Sequence, residues 1–278
     1  MVEASEFVLT MSPFRKTHFC PIRSILQNHL LQVLTLVAME PPVSDDGDAI
    51  RDAKTNVLNN MEPIDLEKDV KLGQYVGYSD DPTIKNKDTN CPTYAAIRTF
   101  VNTDRWRGVP FIMQAGKALD QRICEVRIRF KSPSKTIHAI RDSSRKSLGT
   151  NELVMRLQPN PSLEFKTNIK TPGLSSIPMN ATMTMPYKQL IEGPNAVGSN
   201  PDAYTRLMLD VLRGRNGSFV RDDELHRSWE IFTPLLHQIE RENVRPEPYK
   251  YGSTGPDGIE KWIEQMSMGE QELPNAAL

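Results

Sequence analysis

In Ile123-Cys124-Glu125-Val126-Arg127-Ile128-Arg129-Phe130-Lys131, apolar and polar residues alternate from Cys124 onward, and that alternation predicts a strand with one buried and one polar face. Successive strand side chains point to opposite sides, so Cys124, Val126, Ile128 and Phe130 share one face and Glu125, Arg127, Arg129 and Lys131 the other. A strand that is polar on one side favours an antiparallel or mixed sheet, because the central strands of an all-parallel sheet are apolar throughout. Three more segments have strand composition: Thr93–Val101, Asn151–Leu157 and Leu163–Ile169. The middle of the chain therefore builds a sheet.

Helical periods flank it. From Ile22 to Glu40, the residues Ile22, Ile25, Leu26, Leu30, Val33, Leu34 and Val37 recur at helical spacing, and Pro41 and Pro42 end the run. A second helix is expected after Ser44 or Asp45, turning Ile50, Val57, Leu58 and Met61 inward and stopping at Pro63. Residues 171 to 200 read as a loop. Pro201 then suits the first turn of a helix that ends at Gly214; its apolar face, Tyr204, Leu207, Met208, Val211 and Leu212, is expected to lie on the sheet. The last long helix, Asp222 to Glu240, is expected to bury Leu225, Trp229, Phe232, Leu236 and Ile239 and to kink or break at Pro234. Trp106 is read as a core residue. Helices, then strands, then helices make an α+β domain over residues 22–256. Residues 1–21, punctuated by Pro13 and Pro21, read as a loosely ordered extension, and 257–278 as a tail.

Composition narrows the class of protein. Hydrophobic residues at 38% and charged residues at 25% are those of a globular chain. The 34 basic and 35 acidic residues nearly cancel, so no global field draws the chain to nucleic acid or an anionic membrane. The longest apolar run, Leu30 to Met39, is far short of the ~20 residues of a membrane span and reads as a core helix. The first residues hold Glu3 and Glu6 and lack a secretory pattern. Cys20, Cys91 and Cys124 contain no CxxC pair, which argues against a disulfide framework or a metal site and for a reducing, cytoplasmic location.

Five blocks carry a family resemblance: QNHLLQVLTLVAMEPP (27–42), RWRGVPFIMQAGKAL (105–119), NELVMRLQPN (151–160), PDAYTRLMLDV (201–211) and FVRDDELHRSWEIFTPLLHQIE (219–240). In this order they resemble the carboxyl-terminal domain of glucose-6-phosphate dehydrogenase. The resemblance implies a large, mostly antiparallel sheet with helices packed on one face, pairing through that sheet into a homodimer or heterodimer. It also implies oxidation of glucose 6-phosphate to 6-phosphogluconolactone with NADP as hydride acceptor.

His29 matches the family's catalytic base, and an imidazole with an ordinary pKa near ~6.5 can take the proton that the anomeric hydroxyl gives up. Lys117, Arg122 and Gln158 match sugar-contacting positions, where cations and amides offer hydrogen bonds to hydroxyls. Arg127, Arg156 and Lys166 match part of a second, structural NADP site, but Gln114, Ile123, Glu164 and Thr254 stand where Arg, Lys, Tyr and Arg are usual. Ser24 stands where the family usually has an Asp that holds a sugar hydroxyl. No GxGxxG or GxxGD turn occurs, and the family's RIDHYLGKE segment is absent. The expectation is an isolated chain without activity; the alternative is a non-catalytic module that dimerises with a complete subunit and regulates it.

Overall fold

A computed structural model describes residues 4–12, 20–131, 150–173, 178–192 and 201–267. Nine strands form one open sheet: β1 (Ala4–Met11), β2 (Val70–Tyr75), β3 (Tyr94–Phe100), β4 (Pro110–Gly116), β5 (Cys124–Phe130), β6 (Glu152–Gln158), β7 (Ser162–Lys170), β8 (Pro178–Pro186) and β9 (Glu247–Tyr249). Their order is β8-β7-β6-β5-β1-β4-β3-β2-β9. Six of the eight pairings are antiparallel; β1 with β4 and β2 with β9 are parallel. The α+β architecture and the mostly antiparallel sheet are as expected, and the four strands read from the sequence become β3, β5, β6 and β7.

The N-terminal segment overturns its reading as a loose extension. Ala4–Met11 lies at the centre of the sheet between β4 and β5, with Phe7, Val8 and Leu9 buried. A strand covered on both faces shows a short continuous apolar run instead of alternation, which hides it from a search for period two. Of residues 257–278, read as a tail, helix α7 (Ile259–Met266) packs near β4 with Ile259 buried, and 268–278 lie outside the described residues. The stretch read as a loop contains β8 and the short helix α4 (Tyr187–Glu192). As an edge strand, β8 leaves Met179, Met183 and Met185 substantially exposed and has prolines at both ends, where no ladder bond is lost.

The main core lies between one sheet face and the helices. Phe7, Leu9, Leu72, Ala95, Ile97, Phe111, Met113 and Val126 meet Leu26, Leu30, Leu34, Leu58, Leu66, Phe232 and Leu236 from a π-helix (Ile22–Leu30), α1 (Leu31–Ala38), α2 (Gly47–Asn59), α3 (Leu66–Asp69) and α6 (Asp222–Arg241). The helix expected from Ile22 is thus real but wound wide at first. Its buried residues Ile22, Leu26 and Leu30 recur every fourth position, and Leu31 N–H reaches back to the Leu26 carbonyl, a five-residue step. Asp46, and not Ser44 or Asp45, caps α2, accepting from Asp48 N at 3.0 Å and Ala49 N at 2.9 Å. On the reverse face Tyr75, Tyr94, Ala96 and Tyr249 form a smaller cluster closed by α7.

Two helix expectations need correction. Helix α5 (Ala203–Leu212) has the expected period, but it starts after Pro201, capped by Asp202, and it buries no residue; Tyr204, Met208 and Leu212 are exposed. Its apolar face is set by local sequence, whereas contact with the sheet depends on where the chain leads it. In α6 the helix runs unbroken through Pro234, and its inward stripe is Glu224, Ser228, Phe232, Leu235, Leu236 and Ile239. Leu225 and Trp229, expected inside, are exposed, and the Arg23 guanidinium lies 5.2 Å from the Trp229 ring centroid. Trp106 is in the core as expected, edge-on to Phe7 and donating from Nε1 to the Ala38 carbonyl at 2.7 Å.

Candidate functional site

One end of the sheet gathers three of the sequence-derived candidates. Lys117 directly follows β4, Arg122 precedes β5, and Gln158 closes β6. The π-helix that carries His29 in its last turn packs on β4 and β1, the strands at the middle of that end. His29 itself is exposed and has no hydrogen bond among the described residues. π-helical segments are rare and recur at functional sites, because the extra residue per turn re-aims the side chains after it.

Lys117 is the most firmly held of the four. Its N–H donates to the Thr93 carbonyl at 2.9 Å, and its carbonyl accepts from the Tyr249 hydroxyl at 2.7 Å. Tyr249 thereby spends its proton, so the Thr93 hydroxyl, 2.9 Å away, must donate to Tyr249. A Cβ at the preceding Gly116 would stand 2.5 Å from Tyr94 Cδ2, so only glycine allows this close approach. The Lys117 side chain is 4% exposed, and burial holds its ammonium below the usual lysine range, opposed by the neighbouring Cys91 and Cys20 thiols. Beside it, Cys20, Ser24, Asn90, Cys91, Glu240 and Asn243 line part of a cavity of about 620 Å³. Ser24 donates its hydroxyl to the Cys20 carbonyl at 3.0 Å, an internal bond that a carboxylate there could not donate. Tyr249, Thr93 and this cavity were missed in the sequence; the isolated Tyr249 sits in a Pro- and Gly-rich stretch without periodicity.

Arg127, Arg156 and Lys166 form a separate group on the reverse face. The register sets Glu125 opposite Arg156, Arg129 opposite Glu152 and Glu152 opposite Lys166, so carboxylates and cations interleave across three strands. Arg127 pairs with Glu125 at 2.8 Å and with Glu152 at 3.0 Å. Arg156 lies 3.5 Å from Glu125 and 4.0 Å from Glu164, and Lys166 lies 3.7 Å from Glu152. Gln114, where the family usually has Arg, instead links Thr10 at 2.7 Å and Tyr94 at 2.8 Å. Burial pushes the Glu152 carboxyl up, but Arg129, Arg127 and Lys166 together outweigh it and hold the group below the usual carboxylate range. The cations here are already balanced by the chain's own acids, so these residues do not fit a multiply charged dinucleotide.

Glu6 of β1 joins the same layer, and its burial works the other way. The carboxylate lies 2.6 Å from Arg129, yet desolvation exceeds that attraction and raises its pKa. Ionised Glu6 therefore opposes folding at neutral pH, whereas a group held below its ordinary value, such as Glu152, supports it. Glu6→Gln is expected to raise the urea midpoint at pH 7. The gain should close as pH falls below the ordinary carboxylate range near ~4.3, where Glu6 is protonated folded and unfolded alike. A lower midpoint at pH 7 would show that the Arg129 pair dominates.

Comparison with known proteins places these features in context. Residues 17–269 match the family described as glucose-6-phosphate dehydrogenase, C-terminal domain. A cytoplasmic isoform of glucose-6-phosphate 1-dehydrogenase from Solanum tuberosum is 48% identical over 243 residues, covering 87% of this chain and 45% of the relative. The Dictyostelium discoideum glucose-6-phosphate 1-dehydrogenase is 46% identical, covering 86% and 48%. The chain thus spans about half the length of the curated relatives it matches. A solved glucose-6-phosphate dehydrogenase in complex with its substrate glucose-6-phosphate superposes with a TM-score of 0.86 at 36% identity, over 95% of this chain and 55% of that one. The enzyme from Mycobacterium avium gives 0.76 at 29% identity, over 94% and 54%.

Proposed function

The chain belongs to the glucose-6-phosphate dehydrogenase family, and from that premise we propose that it is the sugar-binding part of an NADP-dependent oxidation of glucose 6-phosphate in the cytoplasm. The observation that carries this reading is the gathering of Lys117, Arg122 and Gln158 at one end of the sheet, against which the π-helix bearing His29 packs.

In this reading His29 accepts the proton of the anomeric hydroxyl. Its exposure leaves the ring free to meet a substrate. Lys117, Arg122 and Gln158 orient the sugar through hydrogen bonds to its hydroxyls, and the bond Lys117 N–H donates to the Thr93 carbonyl, with the one its carbonyl accepts from Tyr249, fixes the backbone from which Lys117 projects. In this reading the hydride acceptor is not held by the described residues. They contain no glycine-rich phosphate turn, and the reverse-face cations are engaged by Glu125, Glu152 and Glu164.

The test follows NADPH absorbance with glucose 6-phosphate and NADP. The chain by itself is expected to give no turnover, and a dinucleotide-binding fragment from a relative should restore it. His29→Asn should then cut the restored rate by roughly 10²–10⁴-fold. Turnover by the chain alone would overturn the division of labour, and a restored rate indifferent to His29→Asn would remove His29 from the chemistry.

A second reading, a module that pairs with a complete subunit, draws on the exposed methionines of edge strand β8. Size-exclusion chromatography with a complete relative separates the two: a stable, inactive heterodimer favours the module.

A further inference from the structure

Two of the three cysteines meet at one cavity although 71 positions separate them in sequence. Cys20 stands just before the π-helix and Cys91 in the loop before β3, and both line the cavity of about 620 Å³ as partly exposed free thiols. Burial raises the Cys20 thiol, and the Lys117 ammonium partly opposes that rise. Cys124 lies away from the cavity, buried in the sheet, with its thiol pushed up to about 11 by burial. Only one pair of thiols therefore shares a space that small solutes can enter.

We propose that Cys20 and Cys91 are an oxidative modification site, joined by peroxide into a reversible intrachain disulfide. The Cys91 thiolate attacks one peroxide oxygen and breaks the O–O bond, giving a sulfenic acid and hydroxide, which takes up the proton the thiol released and leaves as water. The Cys20 thiolate then attacks the Cys91 sulfur and displaces hydroxide, which takes a proton and leaves as a second water. Two thiols and one hydrogen peroxide thus become one disulfide and two waters. Cys91 reacts first because burial disfavours the thiolate at Cys20. The Lys117 ammonium favours the Cys20 thiolate that the second step consumes. The link would tie the Asn90–Pro92 loop to the start of the π-helix that carries Ser24 and His29. It is independent of whether Lys117 also contacts a sugar.

The reduced, purified chain is treated with hydrogen peroxide, alkylated under denaturing conditions, digested and mapped by mass spectrometry. The expected main product is a linked peptide pair containing Cys20 and Cys91 and lacking two hydrogens. It should be lost on adding dithiothreitol, with Cys124 alkylated throughout. In Cys20→Ser the linked pair should be absent and the sulfenic acid at Cys91 should be trapped by dimedone. The same treatment in urea should lose the preference among the three thiols, which assigns the pairing to the fold. Independent sulfinic acids at Cys20 and Cys91, links only between chains, or a link through Cys124 would each overturn the proposal.

Discussion

Phe7→Ala is expected to lower the unfolding free energy by roughly 3–5 kcal/mol, the range for removing a fully buried aromatic side chain. Phe7 is 2% exposed. Its ring stacks on Phe111 at 4.7 Å between centroids and receives the edge of Trp106 at 5.0 Å. The cavity would open between β1 and β4 where their parallel register sets Phe7 opposite Phe111. Neither neighbour can collapse into it easily, because Trp106 is anchored by its bond to Ala38 and Phe111 is held within a central strand. Equilibrium urea unfolding checks this, with tryptophan fluorescence reporting directly on Trp106. A loss below about 1 kcal/mol would mean that Ala4–Met11 is a dispensable extension after all.

Glu224→Ala should cost a similar amount, about 3–5 kcal/mol, for a different reason. Glu224 is fully buried at the start of α6; Lys54 Nζ of α2 lies 3.1 Å from its carboxylate, and Gln32 Nε2 of α1 donates to it at 2.7 Å. Removing the carboxylate leaves the Lys54 ammonium, 4% exposed, without its counter-charge and the Gln32 amide without its acceptor. The penalty is mostly that stranded charge. The double variant Lys54→Met with Glu224→Leu should therefore regain most of the loss, since a well-packed apolar pair can replace a buried ion pair at little cost. Urea midpoints of the single and double variants decide the matter. Equal losses in both would assign the effect to packing around α6 and not to charge.

The same contrast separates what was readable in the chain from what was not. Strand β5 shows itself because one of its faces carries charged residues that pair with one another, so alternation is written into consecutive residues. Strand β1 is hidden because both its faces are covered, and Phe7-Val8-Leu9 resembles any short apolar run. Helix α5 gives the opposite case, a clear period without a partner surface among the described residues. At the candidate site, His29, Lys117 and Gln158 are proposed from the blocks that surround them, and Arg122 from its place just past one of them. Thr93, Tyr249 and the Cys20–Cys91 cavity carry no local signal.

Local pattern alone determined the strands with one polar face, the helical periods and the ordered blocks that mark the family, because each depends on neighbours a few residues apart. Only tertiary structure decided that Ala4–Met11 is central, that Glu125, Glu152 and Glu164 engage the reverse-face cations, and that Lys54 meets Glu224 across 170 residues. Those outcomes depend on register and on which surfaces come together when water is expelled, and no short window of residues contains that information.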